Sequence, residues 1–187
     1  MRTFIILMTA LLAFGITSLM GFWLIPLLRK VKYGQTILDI GPVWHKNKQG
    51  TPTMGGFLFI AGVLVAVTIG YLVYMSVGGG ESEISPIFGA RLFAGMVMAM
   101  AFAFLGFVDD YIKVVKKRNL GLTAGQKMVM QILIAAIYLV ILYLAGDTST
   151  VLRIPFIGSL DLGLFYYAVA LFILIVGTVN AVNLTDG

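Results

Sequence analysis

The sequence has 187 residues, 60% of them hydrophobic and 11% charged, with no cysteine and a formal net charge of +5. Soluble domains run at about 45–50% apolar and about 25% charged residues. That excludes an ordinary soluble domain, a disordered chain, a collagen-like repeat and a disulfide scaffold. The charges form short islands separated by charge-free stretches at 3–28, 49–80, 92–108, 128–146 and 162–185. A helix rises about 1.5 Å per residue, so about 20 residues cross a hydrocarbon core of roughly 30 Å. The stretch 92–108 is short by this measure and borrows Gly89, Ala90 and a snorkelling Arg91. The sequence therefore predicts an all-α, polytopic membrane protein with five transmembrane helices, near 3–27, 55–76, 90–108, 128–146 and 162–182. Runs such as QILIAAIYLVILYL are apolar on every side and lack the alternation of a barrel wall.

The first segment has only Arg2 as a basic flank and no small-residue cleavage site leading into a polar domain, so it reads as a retained helix. Loop 29–53 follows, with Arg29, Lys30, Lys32, Lys46 and Lys48. Loop 109–127 holds Lys113, Lys116, Lys117, Arg118 and Lys127. These ten of the thirteen basic residues place both loops in the cytoplasm and the N-terminus outside. The basic excess is thus a topology signal and a membrane-surface field, with no nucleic-acid partner implied.

Lys48-Gln49-Gly50-Thr51-Pro52-Thr53-Met54-Gly55-Gly56 leads into the second helix. Its glycines leave amides accessible, its threonines supply hydroxyls, and a helix N-terminus favours an anion. A phosphate fits here, as does a plain turn; the ending of a P-loop is missing. At the end of the third helix stands Gly106-Phe107-Val108-Asp109-Asp110-Tyr111-Ile112-Lys113. Two adjacent carboxylates at a membrane boundary need a cation nearby, either a divalent metal or the lysines. Helical spacing puts Lys113 within reach of both; the plainer reading is a solvated helix end. Lys127 opens the fourth helix, where a cation opposes the dipole and serves either as an interfacial anchor or for a phosphate.

Segment 147–161 reads as a small external hairpin with Pro155 at its turn. The final string is Asn180-Ala181-Val182-Asn183-Leu184-Thr185-Asp186-Gly187. Asn180, Asn183 and Asp186 share a three-residue spacing and one helix face, suited to a polar ligand or metal-bound water, or to helix-end capping. The charge count puts this group on the same side as Asp109 and Asp110. With no cysteine and one histidine, His45, the implied metal is hard and oxygen-ligated, magnesium first. Ala94, Gly95, Ala99, Ala101 and Ala103 offer a small-residue face for helix contact.

The strings 50–56, 106–113 and 180–187 together resemble the N-terminal half of the phospho-N-acetylmuramoyl-pentapeptide transferase family, within the bacterial polyprenyl-phosphate N-acetylhexosamine-1-phosphate transferases. They stand in the family's order, so the resemblance covers essentially the whole chain, residues 1–187, as part of one integral membrane transferase domain of about ten helices. It implies a bacterial cytoplasmic-membrane enzyme of peptidoglycan synthesis. Its reaction is magnesium-dependent transfer of phospho-N-acetylmuramoyl-pentapeptide from UDP to undecaprenyl phosphate, giving lipid I and UMP. By this resemblance Asp109 sits near the lipid phosphate, aiding its deprotonation or positioning it for direct attack. A covalent Asp109 intermediate is the lesser alternative. Asp110 organises magnesium or its water shell, so Asp109 and Asp110 are both catalytic and metal-site candidates. Lys113, Lys117 and Lys127 meet the lipid phosphate. Asn183 and Asp186 bind the nucleotide-sugar, Asn180 supports that wall, and Lys48 and Thr53 contact substrate. A further acidic ligand, a histidine-bearing motif and more helices are expected downstream of residue 187, and a homodimer is implied. The 187-residue stretch alone is expected to be inactive. The alternatives are N-acetylglucosamine-1-phosphate transfer to a polyprenyl phosphate, a structural fragment, and a cation-binding or transport protein.

Overall fold

The computed structural model describes residues 2–30, 55–77, 86–116 and 120–186. Four helices come first: α1 (Arg2–Lys30), α2 (Phe57–Val77), α3 (Pro86–Val115) and α4 (Ala124–Leu144). A hairpin of β1 (Val151–Ile154) and β2 (Gly158–Asp161) follows. The last rod is α5 (Phe165–Ala168), a π-helical segment (Val169–Gly177) and α6 (Thr178–Asp186). Five helices are long and apolar enough to cross a membrane: Thr3–Lys30, Phe57–Val77, Ile87–Lys113, Ala124–Leu144 and Phe165–Thr185. The all-α, multi-pass character expected from the charge-free stretches is what the structure has.

Helices α3 and α4 extend past the sequence-based bounds, each for a local reason. Helix α3 starts at Pro86, where a missing N–H is harmless, and continues through the acidic turn to Val115. Asp109, Asp110 and Lys113 therefore lie on the helix and not in the connection. Helix α4 starts at Ala124, earlier than 128, because Thr123 and Gln126 form a capping box. The Gln126 N–H donates to Thr123 Oγ1 at 3.2 Å, and the Thr123 N–H donates to Gln126 Oε1 at 3.0 Å.

The chain divides into two compact units, Met1–Ile84 with Gly106–Gly121, and Ser85–Leu105 with Leu122–Gly187. In the first, α1 and α2 pack antiparallel through small residues at four-residue spacing: Thr9, Ala13 and Thr17 against Gly62, Ala66 and Gly70. Ala66 is fully buried. A methyl added to Gly62 would meet the Thr17 hydroxyl and lie 3.1 Å from the Ala13 carbonyl; one added to Gly70 would meet Thr9. Close backbone approach of this kind substitutes for the hydrophobic effect between helices in lipid. Thr9 keeps its hydroxyl satisfied by donating to the Ile5 carbonyl at 2.8 Å. The small residues expected to serve on α3 behave differently: Ala94 is buried, but a methyl on Gly95 would meet nothing within 4 Å.

In the second unit Arg91 does not simply snorkel. Its Nε and Nη2 donate to both Asp147 oxygens at 2.6 and 2.7 Å, tying α3 to the turn after α4. The hairpin lies where the sequence placed it, with Val151 opposite Asp161 and Ile154 opposite Gly158. Phe156 (φ 67°) and Gly158 (φ 121°) make the left-handed turn that Pro155 opens. The Asp161 carboxylate accepts from the Thr150 hydroxyl at 2.6 Å and the Gly163 N–H at 3.0 Å, which holds its pKa below the ordinary carboxylate value.

Candidate functional site

The predicted site residues fall into two groups, one in each unit. The first is on the last turns of α3. Asp109 is 7% exposed, so its charge has lost most of its water and requires a partner. Lys113, one helical turn on, supplies it: Nζ lies 2.7 Å from Asp109 Oδ2 and 3.1 Å from Asp110 Oδ1. The i,i+4 and i,i+3 spacings place the ammonium between two carboxylates that point to neighbouring sides of the helix. One positive charge against two negative ones leaves the trio with a formal charge of −1. Asp109 of this trio is buried and Asp110 is partly exposed, with Lys113 shared between them.

An aromatic cluster sets the other wall of this turn. Phe107 and Tyr111, also one turn apart, have ring centroids 5.8 Å apart, and Phe57 meets Phe107 edge-on at 5.4 Å. Phe57 is the first residue of α2, directly after the glycine-rich string. Gly55 and Gly56 accept from the Leu58 and Ile60 N–H groups at 3.2 Å, so the pair builds the first turn of α2. The structure thus brings Phe57, the residue that follows string 50–56, against Phe107 of string 106–113. Lys48, Thr53 and Lys117 lie outside the described residues.

The second group is on α4 and α6. Lys127 is half-buried in the first turn of α4, its backbone N–H donating to the Thr123 carbonyl at 3.0 Å. The capping box explains why the helix begins there, and Lys127 has no part in it. On α6, Asn183 is exposed and Asp186 is the final residue. Asn180 has a different setting. Its Nδ2 donates to Gln131 Oε1 at 2.7 Å and to the Val176 carbonyl at 2.8 Å, and Gln131 Nε2 donates back to Asn180 Oδ1 at 3.5 Å. Asn180 is therefore committed to a contact between α4 and the last rod, while Asn183 is exposed. Sequence reasoning missed Gln131, which is 5% exposed. The available signal was a lone carboxamide within the charge-free stretch 128–146.

Among the described residues no three His, Cys, Asp or Glu side chains converge. The donor set at the acidic turn is two carboxylates. That matches the habit of magnesium, which binds through one or two carboxylates and completes its octahedron with water and substrate phosphates.

Residues 92–187 match the model of glycosyl transferase family 4. Residues 48–60 match signature 1 of the phospho-N-acetylmuramoyl-pentapeptide-transferases, a span that includes Lys48, Thr53 and Phe57. The chain is 44% identical over 184 residues to the phospho-N-acetylmuramoyl-pentapeptide-transferase of Bacillus subtilis (strain 168), covering 98% of this chain and 53% of that protein. The enzyme of the same name from Heliobacterium modesticaldum is 44% identical over 180 residues, 95% of this chain and 50% of its own. That of Listeria monocytogenes serotype 4b (strain F2365) is 42% identical over 188 residues, 100% of this chain and 54% of its own. The chain spans about half the length of the curated relatives it matches.

Proposed function

The chain belongs to glycosyl transferase family 4, and we propose that it is the N-terminal half of an enzyme transferring phospho-N-acetylmuramoyl-pentapeptide from its UDP carrier to undecaprenyl phosphate. The observation that carries this reading is a buried Asp109, sharing Lys113 with Asp110, beside the α2 end of the signature segment. The signature also favours the muramoyl-pentapeptide donor over UDP-N-acetylglucosamine.

In this reaction an oxygen of the lipid phosphate attacks the sugar-bearing phosphorus of the diphosphate. The bond to the uridine-side phosphate breaks, UMP departs, and lipid I remains in the membrane. The acceptor phosphate is largely ionised near pH 7, so Asp109 acts mainly by orienting it and by accepting whatever proton remains. Lys113 holds both carboxylates in place and lowers the cost of bringing phosphates to them. Asp109 and Asp110 are the residues that would hold magnesium, with a further acidic ligand from the part of the enzyme beyond residue 187. Bound there, magnesium supplies a Lewis acid for the diphosphate oxygens. Lys117 and Lys127 add positive charge for the lipid phosphate. Asn183 and Asp186 recognise the nucleotide-sugar, and Lys48 and Thr53 contact substrate from the signature segment. The donor arrives from the cytoplasm, the face to which the positive-inside count assigns the acidic turn, and the N-terminus lies outside. A homodimer in the cytoplasmic membrane belongs to the same reading.

The test is Asp109→Asn in the complete enzyme, assayed by UMP release from UDP-N-acetylmuramoyl-pentapeptide. The expected outcome is a loss of about 100-fold or more in turnover with membrane insertion retained. Near-normal turnover overturns the role of Asp109.

A further inference from the structure

We infer that Gly121 is a positioning residue for Asp109, because the lack of a side chain at 121 lets its backbone lie directly on the Asp109 carboxylate and carbonyl. A Cβ placed on Gly121 would meet Asp109 Oδ1 and stand 2.6 Å from the Asp109 carbonyl oxygen and 2.7 Å from Cγ. A flexible side chain could step aside from such a contact. The carbonyl cannot, since it belongs to the hydrogen-bonded ladder of α3. Any side chain at 121 therefore displaces either the connection or the turn that carries Asp109.

The requirement is steric and local. Gly121 does not have the left-handed φ of Gly146, Gly158 and Gly163, so alanine suits its backbone and tests the space alone. Gly125, four residues on, and Gly106, three residues before Asp109, would each accept a Cβ with nothing within 4 Å. Asp109 is also the more buried of the two carboxylates. Its side chain is 11% exposed against 31% for Asp110, although both share Lys113. Lys113 covers Asp109 from its own helix, and the Gly121 backbone covers it from the connection. Together they fix the direction of a carboxylate that must meet a phosphate within a fraction of an ångström.

The inference takes its functional meaning from the proposed role of Asp109, so the experiment separates the two. The complete enzyme is prepared with Gly121→Ala, Gly125→Ala and Asp109→Asn. Each is assayed for UMP release and for carbodiimide labelling of carboxyl groups, read by mass spectrometry at Asp109 relative to Asp110. In the unsubstituted enzyme Asp109 labels more slowly than Asp110. Gly121→Ala raises the Asp109 labelling several-fold and lowers kcat by about 100-fold with KM for the UDP-sugar little changed. Gly125→Ala leaves labelling and turnover as they were. Unchanged Asp109 labelling in Gly121→Ala overturns the packing contact. So does equal labelling of the two carboxylates in the unsubstituted enzyme, a reading that stands even if Gly121→Ala does not fold. Raised labelling with kcat retained, while Asp109→Asn is inactive, overturns the positioning role. Full turnover by Asp109→Asn instead removes the catalytic reading of Asp109, and the labelling then judges the contact by itself.

Discussion

A carboxamide buried between two apolar helices is held by its partner far more than by its surroundings. Gln131 and Asn180 exchange hydrogen bonds at 2.7 and 3.5 Å, and no water competes for them in a membrane interior. Measured side-chain hydrogen bonds between membrane helices average about 0.6 kcal/mol and reach about 1.7. Gln131→Leu and Asn180→Leu are each expected to lower stability by about that amount, since each leaves one carboxamide without its partner. The double variant is expected to lose less than the sum of the two. Unfolding of the complete enzyme by denaturant titration in bicelles checks this, and strict additivity would show the pair uncoupled. The residue scale also shows what was legible in the sequence. Asp109 and Asp110 stood out because two adjacent carboxylates at a membrane boundary have a large electrostatic cost, and the spacing to Lys113 was readable by count. Gln131 is neutral, and its importance depends on a partner 49 residues away that no local pattern names. The same long-range dependence hid the approach of Gly121 to Asp109.

Whole helices were legible for a simpler reason: a charge-free run long enough for a bilayer has few other uses. Their ends were less so, because α3 and α4 extend where Pro86, the Asp–Lys turn and the Thr123–Gln126 box stabilise extra residues. The π-helical winding of Val169–Gly177 has no counterpart in its sequence, an apolar run without a proline. Which small-residue face finds a partner was also hidden. Small residues occur on α3 as well as on α1 and α2, and only complementary spacing on a second helix makes such a face useful. The face Gly62, Ala66, Gly70 has that complement in Thr9, Ala13, Thr17. Gly70→Leu is therefore expected to destabilise the α1–α2 pair by about 1–3 kcal/mol, the usual range for an overpacked contact. Gly15→Leu on α1, where a Cβ would meet nothing within 4 Å, is the control and is expected to change little. Thermal unfolding of both variants in the same detergent compares them. Equal midpoints would show that α1 and α2 do not rely on this close approach.

For the whole molecule, the placement of charge across the membrane decides whether the proposed chemistry has access to its donor. Ten of thirteen basic residues lie in segments 29–53 and 109–127, the loops and adjoining helix ends assigned to the cytoplasm, while Arg91 and Arg153 stand among Glu81, Glu83, Asp147 and Asp161 in the segments assigned outside. The positive-inside rule acts during insertion, when loops rich in lysine and arginine resist transfer. The acidic turn of α3 adjoins one of those loops, so the rule supplies an orientation for the site without any reference to its function. These 187 residues contain no cysteine, so in a complete enzyme whose remaining residues are also freed of cysteine, single cysteines report the orientation directly. Ser149 and Lys116 are both exposed, the first in the turn after α4 and the second just beyond α3. In intact cells producing the complete enzyme, Ser149→Cys is expected to react with a membrane-impermeant maleimide. Lys116→Cys is expected to react only after the membrane is opened. The reverse pattern would put Asp109 and Asp110 on the outer face, away from any nucleotide-sugar, and would remove the transferase proposal at its root. The expected pattern brings the acidic turn, the basic loops and a cytoplasmic UDP-sugar to one side, while the Arg91–Asp147 bridge and the hairpin remain on the other.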